Sequence, residues 1–554
     1  METYFRFTSK HLKSTYFLGI FIAALIGLSA CSQQPHTHAQ PEHISDSKTL
    51  LLQRYTDVEN QIQDILKAYP SSDSSKNEVS IADSKPTAQS GESVAVYAEN
   101  VRRDVLSLEL KARKAFRSRN VDFTAAQSFL STVSDFFVSL NEVVPDSPTY
   151  LTDLYSSYSK LSTIAHINKD YSNSREAAQS GLETATALSA LDNTNPKYKT
   201  FQASQHAKLA SIARQLGELD TAREHHQTEI HIATEVVKTT PDLKAVRTLS
   251  MARKNAGTFE SKYGEVDIAN DHLLKGLDLA MSLAQSGDKE AMVSQRRIAD
   301  FHFQLGHNNL AHGNLSAAQE HLEQSTKIYE TLMASDKKSS SLPYRVASSH
   351  TKLGSALRRQ AVYDLSKLSY NKGLKIYEDL LAEEPSSSSI QIAVANSHFQ
   401  LGKTSWGEDD FASSKAHFNH SLDIHRELID SNSENRWSVQ WLPLNLMWVA
   451  HNELELGNTE SAKNLFDSAL SKSQRLLSQH ESPRKHKDVV LILEGLGDYH
   501  VKQSDMASAK KHYELALTRI EELKESGTIP QDGWQPILTR IENSMQDLNN
   551  EGSV

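Results

Sequence analysis

Residues 305–325 read LGHNNLAHGNLSAAQEHLEQS, and the spacing within this stretch decides the fold. Ala318 is small, Leu322 follows four residues later and Ser325 three after that. Offsets of 3, 4 and 7 keep residues on one face of a helix. Twelve residues before Ala318 stands Gly306, and five before it stands Gly313. The stretch therefore reads as a helix ending near Gly313, where a left-handed residue closes it, followed by a second helix. Small residues at 306 and 318 let the two helices approach closely.

The same small position recurs along the chain, at Ala126, Ser174, Ala222, Ala269, Ala318, Ser366, Ser414, Ala462 and Ala509. Successive intervals are 48, 48, 47, 49, 48, 48, 48 and 47 residues. A second small column runs through Ser162, Ala210, Gly257, Gly306, Gly354, Gly402, Ala450 and Gly497. Turn glycines stand at 217, 264, 313 and 457, whereas Val121 and Lys169 occupy that place in the first two repeats. A helical hairpin of this kind cannot bury its apolar face alone, so neighbouring repeats must stack. The predicted fold class is all-α: an α-α solenoid of about nine hairpins over 94–530, closed by a capping helix at 531–548.

The Leu-Gly pairs at 305–306, 353–354, 401–402 and 496–497, with Gly313, Ala318, Leu322 and Ser325, resemble the tetratricopeptide (TPR) repeat. The family's usual period is about 34 residues, and the longer period here is expected to add about two turns to each helix. The resemblance implies a superhelical array whose concave groove is lined from the first helix of each hairpin. Carried onto this sequence, the groove positions are Asp300, Phe303 and His307, then Thr351, Ser355 and Arg358. Asn396, Phe399, Lys403 and Trp406 follow, then Met447, His451 and Leu454. Aromatic anchors among polar neighbours suit a peptide or protein partner.

The N-terminal part is organised differently. Arg6, Lys10 and Lys13 precede an apolar run from about Tyr16 to Leu28, too short to span a bilayer and shaped as a secretory leader. It ends in Leu28-Ser29-Ala30-Cys31, which resembles the lipobox of bacterial lipoproteins and implies cleavage at 1–30 and acylation of Cys31, the single cysteine. Ser32 after the cysteine favours the outer membrane, facing the periplasm, by analogy with enterobacterial sorting. Residues 31–48 read as a flexible tether. An amphipathic helix is predicted over 49–70, with Leu51, Tyr55, Val58, Ile62, Ile65 and Tyr69 on one seam, free either to self-pair or to fold back on the body. Residues 71–93 read as a disordered linker.

Composition excludes several functions. The formal net charge is −10, and loss of the leader (Arg6, Lys10 and Lys13 against Glu2) takes it near −12, against nucleic acid as a partner. An acylated Cys31 leaves no thiol for a disulfide, a thiol catalyst or a cysteine zinc site. Gly402-Lys403-Thr404 imitates the end of a phosphate-binding loop but lacks the upstream glycine and lies in a helix. His225, His226, Glu229 and His231 share two helical turns, and His225 and Glu229 are placed to face each other; the spacing suits a helix contact better than a metal site. No catalytic motif, cofactor or metal site is expected. Trp437, Trp441 and Trp448 crowd one helix that Pro443 is expected to kink or break. Two functions fit this pattern: a lipid-anchored adaptor holding a protein or peptide in the groove, or a surface adhesin stacking these tryptophans on glycans.

Overall fold

A computed structural model describes residues 41–68, 86, 92–116, 122–285, 291–431, 435–529 and 534–551. The leader, Cys31 and most of the tether and linker lie outside these residues. The described residues form twenty α-helices and no strand. None of the helices is long and apolar enough to cross a membrane. The chain divides into two compact units, Met1–Ala177 and Ala178–Val554.

In the first unit, α1 (Pro41–Ala68), α2 (Val94–Ala115), α3 (Phe123–Val143) and α4 (Pro148–Ile167) share one core. The α1 seam is buried, with Leu51, Val58 and Ile62 at 0 % exposure, and it packs on both α2 and α3. Contact between α2 and α3 is sparse by comparison. Thus the first expected hairpin is opened by a third helix, and the amphipathic segment folds back on its own unit. The helix also starts at Pro41, eight residues before its expected start at 49. Proline is tolerated in a first helical turn, so Pro41 sets that start inside the expected tether.

The second unit takes the end of α5 (Tyr171–Leu191) and a series of antiparallel hairpins. Their first helices are α6 (Pro196–Gln215), α8 (Leu243–Tyr263), α10 (Ala291–Ala311), α12 (Leu342–Arg359), α14 (Ser388–Trp406), α16 (Arg436–Glu455) and α18 (Pro483–Lys502). Their second helices are α7 (Leu219–Thr239), α9 (Val266–Gln285), α11 (Leu315–Ser335), α13 (Tyr363–Glu383), α15 (Phe411–Ser431), α17 (Thr459–Gln479) and α19 (Met506–Glu525). The last, α20 (Gln535–Glu551), buries Ile537 and Ile541 against α18 and α19 and closes the end. Each helix packs chiefly on its sequence neighbours. First helices also touch across hairpins, α6 with α8, α8 with α10, α10 with α12, α12 with α14 and α16 with α18. No such closeness joins successive second helices among the described residues, so the first helices form the tighter, inner layer of this solenoid.

The 48-residue columns explain the packing. Every residue of the Ala318 column is at most 2 % exposed. The second small column meets the large residue of its own hairpin: a Cβ on Gly306 would lie 2.5 Å from Leu322 Cγ, and one on Gly402 3.0 Å from the Phe418 ring. Where serine takes the small position, its hydroxyl donates across the hairpin. Ser366 Oγ reaches Gly354 O at 2.9 Å and Ser414 Oγ reaches Gly402 O at 3.0 Å. In the first unit Ser174 Oγ does the same to Ser162 O at 2.8 Å.

The turn column is conformational rather than compositional. Gly217, Gly313 and Gly457 have φ of 81°, 86° and 82°. Lys169, Ala361, Asp409 and Ser504, at equivalent places, have φ of 62°, 59°, 59° and 59°. The residue after each donates its N–H five residues back, as Asn314 does to Asn309 O at 2.9 Å and Val362 to Leu357 O at 2.9 Å. These are Schellman closures. Gly264 departs from the expectation: its φ is −136°. It is needed for space, since a Cβ there would lie 1.6 Å from Glu260 Oε2, a carboxylate held over the turn by Arg223 Nε at 2.8 Å. A left-handed residue with a Cβ costs roughly 1–2 kcal/mol. A Cβ on Gly313 meets only Arg359 Nη2, at 3.8 Å, so the cost there is conformational. Gly313→Ala is therefore expected to lower stability by about 1 kcal/mol and Ala361→Gly to raise it by a similar amount, read from denaturant midpoints at unchanged slope.

Pro443 does not break α16, which runs through it from Arg436 to Glu455.

Candidate functional site

The inner layer opens into a cleft of about 610 Å³ near the C-terminal end of the second unit. It is walled by α14, α16 and α18 and reached by Arg540 of α20. Among the positions inferred for the groove, Phe399, Lys403, Trp406, Met447 and His451 line it together, with Leu454. These first-helix side chains reach the next first helix, as Phe399 does to Trp441 and Trp406 to Trp448, and also the second helix of their own hairpin, at Phe418 and Phe411.

Its floor is a set of interlocked rings. Phe418, fully buried, stacks on Trp448 with centroids 5.3 Å apart and planes 12° apart. Phe399 meets Phe418 edge-on at 5.2 Å and Trp441 at 5.2 Å. Trp406 contacts Phe411, Trp448 and His451 at 4.9, 5.6 and 5.9 Å. His451 also stands edge-on to Phe466 at 4.9 Å, and burial pushes it down to about 4, so its imidazole is neutral at neutral pH. Trp437, by contrast, is 59 % exposed.

The charges on the wall are mostly spent on each other. Arg540 grips Glu494 with two bonds of 2.8 and 2.9 Å, Lys502 pairs with Glu455, and Asp498 accepts from Tyr513 at 2.6 Å. Lys403 is different. Its ammonium lies 5.8 Å from the Trp448 ring centroid. No carboxylate pairs with it among the described residues. Burial, then the fields of Arg358, Arg359 and Lys487, push it down to about 7. The cleft thus carries one unneutralised cation at the edge of an aromatic floor, in a chain that is acidic overall.

The remaining inferred positions lie elsewhere. Phe303 borders a separate cleft of about 400 Å³ with Tyr329, Tyr344 and Arg345. Asp300 is occupied by Lys254 at 3.1 Å and Arg345 at 2.5 Å, tying three first helices together. His307 is exposed, with Lys352 Nζ 3.5 Å from its Nε2. Asn396 is also exposed. Arg358 stands outside the cleft lining but contributes to the field on Lys403.

The histidine grouping in α7 resolves into two separate contacts. His226 Nδ1 lies 3.3 Å from Glu229 Oε2, and Asn255 donates to the other carboxylate oxygen at 3.2 Å. His225 meets His206 of α6, Nδ1 to Nδ1 at 3.1 Å. Pairs of the same kind join His302 to His321 and His398 to His417. These pairs link residues 19 apart on two helices, which a search along one helix does not find; the 48-residue frame places them all sixteen before and three after the small position.

No family model and no curated protein matches the chain. Solved structures similar in part are helical. The apo quorum sensor NprR from B. thuringiensis is 12 % identical with a TM-score of 0.42, covering 84 % of this chain and 99 % of its own. A tetratricopeptide repeat protein from Parabacteroides merdae is 15 % identical with a TM-score of 0.32, covering 61 % and 98 %. The C-terminal part of a TPR repeat-containing protein from Cytophaga hutchinsonii is 12 % identical with a TM-score of 0.34, covering 60 % and 99 %. Superpositions at these scores are partial; the fold of this chain rests on its own hairpin register, which is that of stacked tetratricopeptide-like repeats.

Proposed function

We propose that the protein is a non-enzymatic adaptor of a bacterial envelope, held to the membrane through Cys31, that captures a protein or peptide segment in the α14–α16–α18 cleft. The observation that carries this reading is the pairing of an aromatic floor with the unneutralised Lys403. A segment with one apolar or aromatic side chain and one nearby carboxylate satisfies both: the ring fills the floor, and the carboxylate gives Lys403 the partner it lacks. Large aromatic anchors in such a pocket carry most of the energy of an interface. Pull-down from solubilised envelope is expected to lose the partner when Phe399→Ala and Trp406→Ala are combined. Unchanged recovery from a folded double variant removes the cleft from the account.

The anchor is supported by the leader and by Leu28-Ser29-Ala30-Cys31. Metabolic labelling with an alkyne-tagged palmitate is expected to mark the wild-type chain and to leave Cys31→Ser unmarked. Placement in the outer membrane facing the periplasm rests on Ser32 alone. The glycan reading keeps one freely exposed indole, Trp437, because the other three tryptophans of this region are engaged with neighbouring rings or a cation. Sugar-array binding lost in Trp437→Ala would favour it.

A further inference from the structure

Three pairs of histidines recur at one place in the repeat frame, His206 with His225, His302 with His321 and His398 with His417. We propose that each pair is a two-histidine site for a borderline transition-metal ion, so that the array takes up three such ions. The Nδ1 atoms stand 3.1, 3.1 and 3.2 Å apart, and the ring planes are inclined at 46°, 43° and 33°. All six side chains are half-buried, which leaves each pair a solvent-facing side. Each pair bridges the two helices of one hairpin, and the pairs occur in alternate hairpins.

The chemistry follows from the neutral imidazole. Within a pair one ring donates its Nδ1–H and the other accepts. Shifting that proton to Nε2, as any neutral imidazole allows, turns both Nδ1 atoms into donors of lone pairs. At metal–nitrogen distances of about 2.0–2.1 Å, two nitrogens this far apart subtend about 100° at a shared ion, between square-planar and tetrahedral values. A modest rotation of the rings aims both lone pairs at that point. Among the described residues no group of three His, Cys, Asp or Glu side chains is placed to hold a metal. Each site therefore supplies two protein ligands, and water or a partner's side chain completes the sphere. Imidazole ligation and the Irving–Williams order favour Cu(II), then Zn(II) or Ni(II), over Mg(II) or Ca(II).

The hairpin of α8 and α9 supplies an internal control. At the same two positions it has Arg253 and His272, with Arg253 Nη1 3.0 Å from His272 Nδ1. An arginine makes this cross-brace without an ion and cannot ligate one. Replacing it completes a fourth pair.

The test is titration of the full chain with CuCl2 and with ZnCl2 by isothermal calorimetry, with electron paramagnetic resonance for nitrogen ligation of Cu(II). All proteins carry His36→Gln, His38→Gln and His43→Gln, to remove the histidines of the N-terminal segment. The expected stoichiometry of histidine-dependent ions is three. It falls to two in His302→Gln/His321→Gln and rises to four in Arg253→His. Circular dichroism confirms that each variant is folded. Equal stoichiometry in all three proteins, or binding without nitrogen signals, overturns the proposal and leaves the pairs as hydrogen-bonded braces. A stoichiometry that follows both substitutions establishes it.

Discussion

Phe418→Ala is expected to lower stability by about 3–5 kcal/mol, the range for deleting a buried aromatic side chain. Phe418 is fully enclosed, stacks on Trp448, meets Phe399 edge-on and fills the space left by Gly402. No neighbour can collapse into that volume without abandoning a ring contact of its own. The loss should also be local. Cores in this unit are shared between adjacent helices, with Phe418 in a cluster running from α14 to α18. Hydrogen exchange read peptide by peptide should show lost protection over α14–α17 while α6–α9 keep theirs, as expected for coupled nearest neighbours. A uniform loss over the whole unit contradicts that view. Because Phe399 and Trp448 rest on this ring, partner capture should weaken with it.

Lys403→Met is expected to weaken the partner about 10–100-fold at pH 7, the loss of one charge-assisted contact of roughly 1.5–3 kcal/mol, with the fold intact. The wild-type pH dependence has a definite sign. Lys403 is pushed down to about 7 in the free protein, from an ordinary value of 10.5. A carboxylate brought beside it raises it again, so binding takes up a proton above pH 7. Affinity should therefore be greatest below pH 7 and fall as pH rises above it, and Lys403→Met should flatten this profile. Stability moves the other way. The unfolded chain holds the Lys403 proton more tightly, so this group's contribution to stability rises with pH between about 7 and 10.5. Removing the charge should abolish that slope. A steeper fall of affinity with pH in the variant than in the wild type would exclude Lys403 as the anion's partner.

The fold was legible because its determinants are periodic. A small residue at Ala318 and at eight equivalent places is a demand of helix contact, and contact demands show in residue type. The turn is less legible. Gly313 announces a left-handed residue, but Ala361, Asp409 and Ser504 adopt the same φ because the hairpin register imposes it, and only the frame identifies them. Gly264 shows the converse, a glycine kept for the Glu260 carboxylate above it. The α1 helix was readable as a seam, yet nothing in its pattern says that it separates α2 from α3. In the cleft, Phe399, Lys403, Trp406, Met447 and His451 were found from first-helix positions alone. Phe303 was assigned to the same surface but faces Tyr329 and Tyr344, because side chains of α11 and α12 close a second cleft around it. That Lys403 lacks a counter-ion depends on Glu455 and Glu494 pairing with Lys502 and Arg540 and on Asp498 accepting from the Tyr513 hydroxyl, which is a matter of tertiary placement. The histidine pairs required aligning two helices of each hairpin before their partners came together.

Partners are expected to dock on the inner, first-helix layer at this cleft. A photo-reactive phenylalanine analogue at Gln400, on the cleft wall, tests it in living cells against the same analogue at Leu365, half-exposed on the second-helix layer. Mass spectrometry is expected to find a defined adduct from position 400, lost in Lys403→Met, and none from position 365. Equal adducts from both positions, or an adduct at 400 indifferent to Lys403, would contradict it.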